Sequence, residues 1–103
     1  MEEKDKLSGI ENYLKELFPQ SVIENMRDSK SGRYIFRVHG PTGERKHTIV
    51  VSNDFVRDNE VEDIVICLKL YNLKGYLEMF GNREILVTED GINPEGIRPS
   101  VIE

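Results

Sequence analysis

The residues of this chain whose types and spacing could do chemistry lie on two neighbouring segments, residues 33–39 and 45–51. If the segments pair as a β-hairpin, every second side chain lies on the same face of the ribbon. One face then collects cationic groups, which bind anions, together with an imidazole and a hydroxyl, which add hydrogen bonds. The candidate partner- or anion-binding residues on that face are Arg33, Arg37, His39, Lys46 and Thr48.

A net positive charge marks the same part of the chain. Residues 27–57 carry seven arginines and lysines against three acidic residues, a net charge of +4, whereas the whole chain has a net charge of −5. Antiparallel sheets also leave one face in water, where lysine and arginine discourage pairing between sheet edges. The basic face therefore has two interpretations, a solvated surface and a binding surface.

Other residues that could support catalysis or bind a metal lack the partners that such chemistry needs. His39 and His47 fall on opposite faces of the predicted hairpin, so they cannot share an ion. Ser52 has no flanking glycines of the kind found at a nucleophile elbow. Cys67, the only cysteine, has no histidine or cation beside it in sequence, and we interpret it as a core residue. We expect no catalytic residue, no cofactor and no metal site.

The hairpin is predicted by two segments rich in β-branched and aromatic residues on either side of the turn sequence Gly40-Pro41-Thr42-Gly43. With a two-residue turn centred on Pro41 and Thr42, Tyr34 lies opposite Ile49. A slip of one residue would mix apolar and basic side chains on both faces. The preferred register instead gathers one apolar face: Tyr34, Phe36, Val38, Ile49 and Val51.

Two helices flank the strands of the predicted sheet. Apolar residues at helical spacing predict the first helix over residues 8–18, with Ser8 as its cap and Pro19 at its end. A second helix follows Asp58, because the acidic residues there complement the unpaired amides of a first helical turn. Residues 22–27 are the first strand, although their alternation is weak.

Residues 73–88 fit two patterns. Leu73, Tyr76, Leu77 and Phe80 have helical spacing, yet the dipeptide at 81–82 could also join two strands of a hairpin. We favour a short helix over the first eight of these residues and keep the hairpin as the alternative. In both cases residues 85–88 form a strand.

These elements predict the α+β class: a single small domain with an antiparallel sheet and helices on one face, in the order α-β-β-β-α-α-β. We expect residues 1–6 to be a disordered N-terminus, residues 7–90 to form the domain, and residues 91–103 to be an extended C-terminal tail. The tail has an alternative role, because its apolar residues could dock on this domain or on a second copy. Docking on a second copy would give a homodimer.

Composition restricts the class of protein. The chain is 38% hydrophobic and 32% charged, which is typical of a folded globular domain rather than a disordered chain. No run of apolar residues approaches the roughly 18 that a membrane span needs, and no targeting segment is evident. We therefore expect a cytoplasmic protein that does not enter a membrane.

The order helix, three strands, helix is similar to that of a double-stranded RNA-binding domain. That resemblance implies phosphate contacts at the start of the last helix. In this chain residues 58–63 carry four acidic side chains, which repel phosphate, so we do not favour nucleic acid as the partner. We expect a non-catalytic binding or regulatory module that contacts a protein or a small anionic partner. A nucleic-acid-binding domain and a small enzyme with an unrecognised site are the alternatives.

Overall fold

The architecture follows from a computed structural model, which describes residues 3–81 and 84–93. These residues form four helices and five strands. In chain order the elements are α1 (Glu3–Leu17), β1 (Val22–Arg27), β2 (Tyr34–His39), β3 (Arg45–Val51), α2 (Asn53–Asp58), α3 (Val61–Leu70), α4 (Leu73–Phe80), β4 (Glu84–Thr88) and β5 (Gly91–Asn93).

The strands form one sheet in the order β1-β2-β3-β4-β5. Neighbours are antiparallel except β3 and β4, which are parallel. A parallel neighbour needs a crossover of a dozen or more residues, and the segment from α2 to α4 supplies it. The predicted α+β class, the element order and the helices on one face are confirmed, with a mixed and mostly antiparallel sheet.

The core lies between the helices and the sheet face that they cover. Phe36 and Val38 on β2, Ile49 on β3 and Ile85 on β4 are at most 1% exposed there. Each helix adds buried apolar residues to the same cluster: Ile10, Tyr13, Leu14, Phe55, Val56, Ile64, Leu68, Leu73 and Leu77. The sheet therefore has an inner face, packed on the helices, and an outer face on the opposite side.

The register of the β2–β3 hairpin differs by two residues from the prediction. Tyr34 lies opposite Val51, rather than opposite Ile49. One residue of the shift comes from the turn, which closes with a bond from the Gly40 amide to the Glu44 carbonyl (2.8 Å) and so holds three residues. A bulge next to His39 supplies the other residue. Because a shift of two preserves the alternation, the predicted faces are retained.

Helix α1 begins earlier than predicted. Residues 3–6, expected to be disordered, form its first turn, and Ser8 lies inside the helix instead of capping it. Tertiary contacts explain the extension, because Lys6 is only 8% exposed and Leu7 packs against the core. The predicted end before Pro19 is confirmed, since the helix stops at Leu17.

The remaining elements follow the sequence closely. Residues 73–80 form a helix and not a hairpin strand, and Ser52 accepts a hydrogen bond from the Phe55 amide (3.1 Å) as the cap of α2. Cys67 is half-buried against the core. The predicted tail begins as a strand, because residues 91–93 pair with β4. The rest of the tail, residues 94–103, lies outside the described residues.

Candidate interaction surface

The outer face of the sheet is built from two rows of side chains that run across its strands. Register places the first row in line: Met26 on β1, Ile35 on β2, Val50 on β3 and Leu86 on β4. We call these four residues the apolar row. The second row lies two residues along each strand and consists of Glu24, Arg37, Thr48 and Glu84, which we call the polar row.

Burial differs sharply along the apolar row. Val50 and Leu86, on the central strands, are 5% and 8% exposed, whereas Met26 at the edge is 42% exposed. Neither Val50 nor Leu86 belongs to the hydrophobic cluster between the helices and the inner face. The outer face therefore has an apolar centre of its own.

Arg37 is the central cation of the polar row. It lies directly opposite Glu24 on one side and Thr48 on the other. Its Nη1 lies 3.8 Å from the sulfur of Met26, while its Nε is buried and has no hydrogen-bond partner among the described residues. A buried donor without an acceptor is costly.

Glutamates partly neutralise the positive charge that the hairpin sequence predicts for this face. The Glu24 carboxylate lies 3.2 Å from His39 Nε2, and Glu84 occupies the other end of the polar row. The hairpin residues alone could not reveal them, since β1 and β4 reach the face through the fold. The outer face carries charges of both signs rather than a uniformly basic surface.

Four of the five candidate residues share the outer face. Arg37 and His39 lie on it from β2, and by alternation Lys46 and Thr48 lie on it from β3, with Lys46 exposed and Thr48 buried. The fifth, Arg33, immediately precedes β2 at the end of the strand away from His39.

The Arg33 backbone belongs to a turn around Asp28. The Arg33 carbonyl accepts a bond from the Asp28 amide (2.8 Å), and the Arg33 amide donates to Ser31 Oγ (3.2 Å). Hydrogen bonds from Ser31 and from the Lys30 amide lower the pKa of the Asp28 carboxyl, and the charges of Lys30 and Arg33 act in the same direction. This turn joins β1 to β2.

His47 lies on the inner side of the sheet, as its pairing with Val38 requires. Its ring is 4.8 Å from that of Phe18, and its Nδ1 is 2.8 Å from the carbonyl oxygen of Gly81. Burial lowers the pKa of the His47 imidazole, the Gly81 contact acts in the opposite direction, and the Lys46 charge lowers it further. The prediction that His39 and His47 fall on opposite faces is confirmed.

The described residues contain no cluster of three or more histidine, cysteine or acidic side chains that could hold a metal ion. They do contain an acidic surface among the helices. Exposed Glu60, Glu62 and Asp63 mark the start of α3. Anions are repelled there, so a phosphate backbone finds no favourable contact at this helix start.

Comparison with protein-family models, with curated proteins and with solved structures finds no match to the chain. Within residues 3–81 and 84–93, no helix combines the length and the hydropathy needed to cross a bilayer.

Proposed function

We propose that this chain is a non-catalytic module that binds another protein through the outer face of its sheet. The observation that carries the proposal is that exposed Met26 and half-buried Ile35 lie beside a polar row that carries both charges. Protein interfaces combine an apolar centre with a polar rim in this way. The proposal retains the expectation from the sequence that the protein acts in the cytoplasm.

A small anion is a poorer fit to the same geometry. Glu24 lies opposite Arg37 in the register, its carboxylate is 3.2 Å from His39 Nε2, and Thr48 is buried, so an acidic group stands among the candidate binding residues. A protein partner can present an acidic group to the Arg37 guanidinium and another to Lys46 while it covers Met26. This match of charge and apolar area favours a protein.

Charge reversal tests the proposal. The double variant Arg37→Glu, Lys46→Glu should lose at least tenfold in capture of its partner, because like charges placed across an interface repel. The matched control is Lys69→Glu, Lys74→Glu, which reverses two exposed charges on α3 and α4. Capture is measured by quantitative mass spectrometry of proteins retained on the immobilised chain, and the mass of the complex in solution distinguishes a second copy from another protein.

Two results would count against the proposal. Equal retention by the two double variants would remove the outer face as the binding surface. Retention of no protein above a bead control would remove protein binding itself.

A further inference from the structure

Strand β1 lies at an edge of the sheet, with one side turned away from β2. Among the described residues it pairs with β2 alone. Its register runs unbroken over six residues, and of its side chains only that of Ile23 is buried. Sheet edges are blunted by short strands, bulges and prolines, and β1 has none of these. Strand β5 at the opposite edge has only three residues, so β1 is the edge better suited to pairing.

Backbone alternation shows which groups of β1 point outward. The Asp28 amide donates to the Arg33 carbonyl (2.8 Å) at the end of the β1–β2 ladder, so these two residues form a hydrogen-bonded pair. In an antiparallel ladder every second pair has the same character, which turns the backbone groups of Met26 and Glu24 toward β2. The N–H and C=O groups of Asn25 therefore point away from β2, near the middle of the edge.

A second copy of this chain would present the same groups in the matching direction. A two-fold axis perpendicular to the sheet at Asn25 makes the two β1 strands antiparallel, and the two Asn25 residues then exchange two N–H···O=C bonds. Residues that lie opposite each other in a sheet share a face. In this register Glu24 of the second copy lies opposite Met26, on the outer face.

Charges on the outer face complement each other in the same register. Arg37 reaches across β1, because its Nη1 lies 3.8 Å from the Met26 sulfur. Glu24 of the same chain lies 3.2 Å from His39 Nε2. Glu24 of the second copy would lie one strand spacing, about 4.8 Å, beyond Met26 and within reach of the Arg37 guanidinium. The two-fold axis repeats this contact, so the dimer gains two ion pairs.

We infer that two copies of this chain join edge to edge through β1, so that their two five-stranded sheets become one continuous sheet. The occupant of the edge is a second copy because a single register pairs the Asn25 backbone groups and also the charges of Arg37 and Glu24. The inference goes beyond the proposed function, which concerns the outer face. Both outer faces lie on the same side of the joined sheet, so the surface proposed for a protein partner is retained.

The mass of the purified chain in solution tests the inference with no other protein present. Light scattering at rising concentration should show the mass approach twice that of one chain. Asn25→Pro removes an N–H that does not donate to β2, and it should lower the association constant at least about tenfold. The matched control Asn25→Thr also loses the side-chain amide, which donates to Glu11 (3.1 Å), but it keeps the backbone N–H and should retain the wild-type constant.

A disulfide tests the register without the proline variant. In a Cys67→Ala background, Asn25→Cys places two thiols on residues whose Cα atoms lie about 5.5 Å apart across the axis, within the range of a disulfide. Met26→Cys is the control, because residue 26 lies opposite residue 24 of the second copy and not opposite itself. Mild oxidation should crosslink the first variant and leave the second monomeric.

Three results would overturn the inference. They are the mass of a single chain at every concentration, equal association of the proline and threonine variants, and crosslinking at position 26 as efficient as at position 25. Circular dichroism shows whether the proline variant is folded, and if it is not, the crosslink decides. Because neither measurement needs another protein, their failure is distinct from a failure of the charge-reversal experiment.

Discussion

Lys6 Nζ donates a hydrogen bond of 2.9 Å to the carbonyl oxygen of Val56. A second bond of 3.2 Å reaches the carbonyl of Arg57, so one ammonium group closes the C-terminal end of α2. These carbonyls have no partner within a six-residue helix, and a cation there also complements the helix dipole. The contact joins α1 to the segment that follows β3.

Replacing Lys6 should therefore destabilise the domain. We expect Lys6→Met, which keeps most of the side-chain volume, to lower the free energy of unfolding by about 1–3 kcal/mol, because buried carbonyls lose a charged donor. Urea denaturation at neutral pH measures the change. Lys4→Met is the control, since Lys4 is exposed on the same helix, and an equal effect of both substitutions would contradict the account.

Arg37 should contribute little to stability. Its Nε is buried and no described residue offers it an acceptor, so Arg37→Met should leave the free energy of unfolding unchanged or raise it by up to about 1 kcal/mol. Arg27→Met is the matched comparison, because the Arg27 guanidinium lies 5.3 Å from the Tyr34 ring centre. The free energy of unfolding should fall by about 0.5–1 kcal/mol in that variant. A larger fall in the denaturant midpoint for Arg37→Met than for Arg27→Met would refute the conclusion that Arg37 contributes little to stability.

His47 should make stability depend on pH. Burial lowers the pKa of its imidazole in the folded chain below the unfolded value of about 6.5. As pH falls below that value, the His47 imidazole of the unfolded chain is protonated before that of the folded chain. The free energy of unfolding therefore falls, and the loss is complete once pH is below the folded pKa.

Urea midpoints between pH 8 and 5 measure the His47 effect. His47→Asn keeps a donor for the Gly81 carbonyl but does not titrate, so the gap in stability between the wild type and this variant should narrow as pH falls. A gap that stays constant across the range would show that His47 is not responsible.

The turn should require glycine at position 43 because of its backbone conformation and not because a side chain would clash. Its φ is 89°, and a Cβ built on it would meet nothing within 4 Å. Gly43→Ala should therefore lower the free energy of unfolding by about 1–2 kcal/mol, and Gly43→Asn by less, because asparagine tolerates positive φ better. Thermal unfolding of the wild-type chain and the two variants gives the comparison. Equal melting temperatures for Gly43→Ala and the wild-type chain would argue against a left-handed conformation at this turn residue.

Local patterns predicted much of this fold because they act over a few residues. The stripe of α4, the Ser52 cap and the two faces of the hairpin all depend on neighbours in sequence. The turn around Gly43 and the bulge beside His39 shifted the register without exchanging the faces, since each added one residue.

Contacts between distant segments account for what the sequence did not reveal. Lys6 is helical because α2 offers it carbonyl acceptors some 50 residues away. The parallel pairing of β4 with β3 brings Leu86 and Glu84 to the outer face, and β1 adds Met26 and Glu24. The candidate surface was therefore predicted as a basic hairpin face and is in fact a mixed surface of four strands.

Site-specific photocrosslinking in cells that express the protein tests most directly whether the outer face is the binding surface. A benzophenone amino acid replaces Met26 on the outer face or Met79 on α4, two exposed methionines of similar character. The account predicts a discrete crosslinked protein from position 26 and none from position 79. A product from position 79 alone, equal products from both positions, or none from position 26 would contradict it.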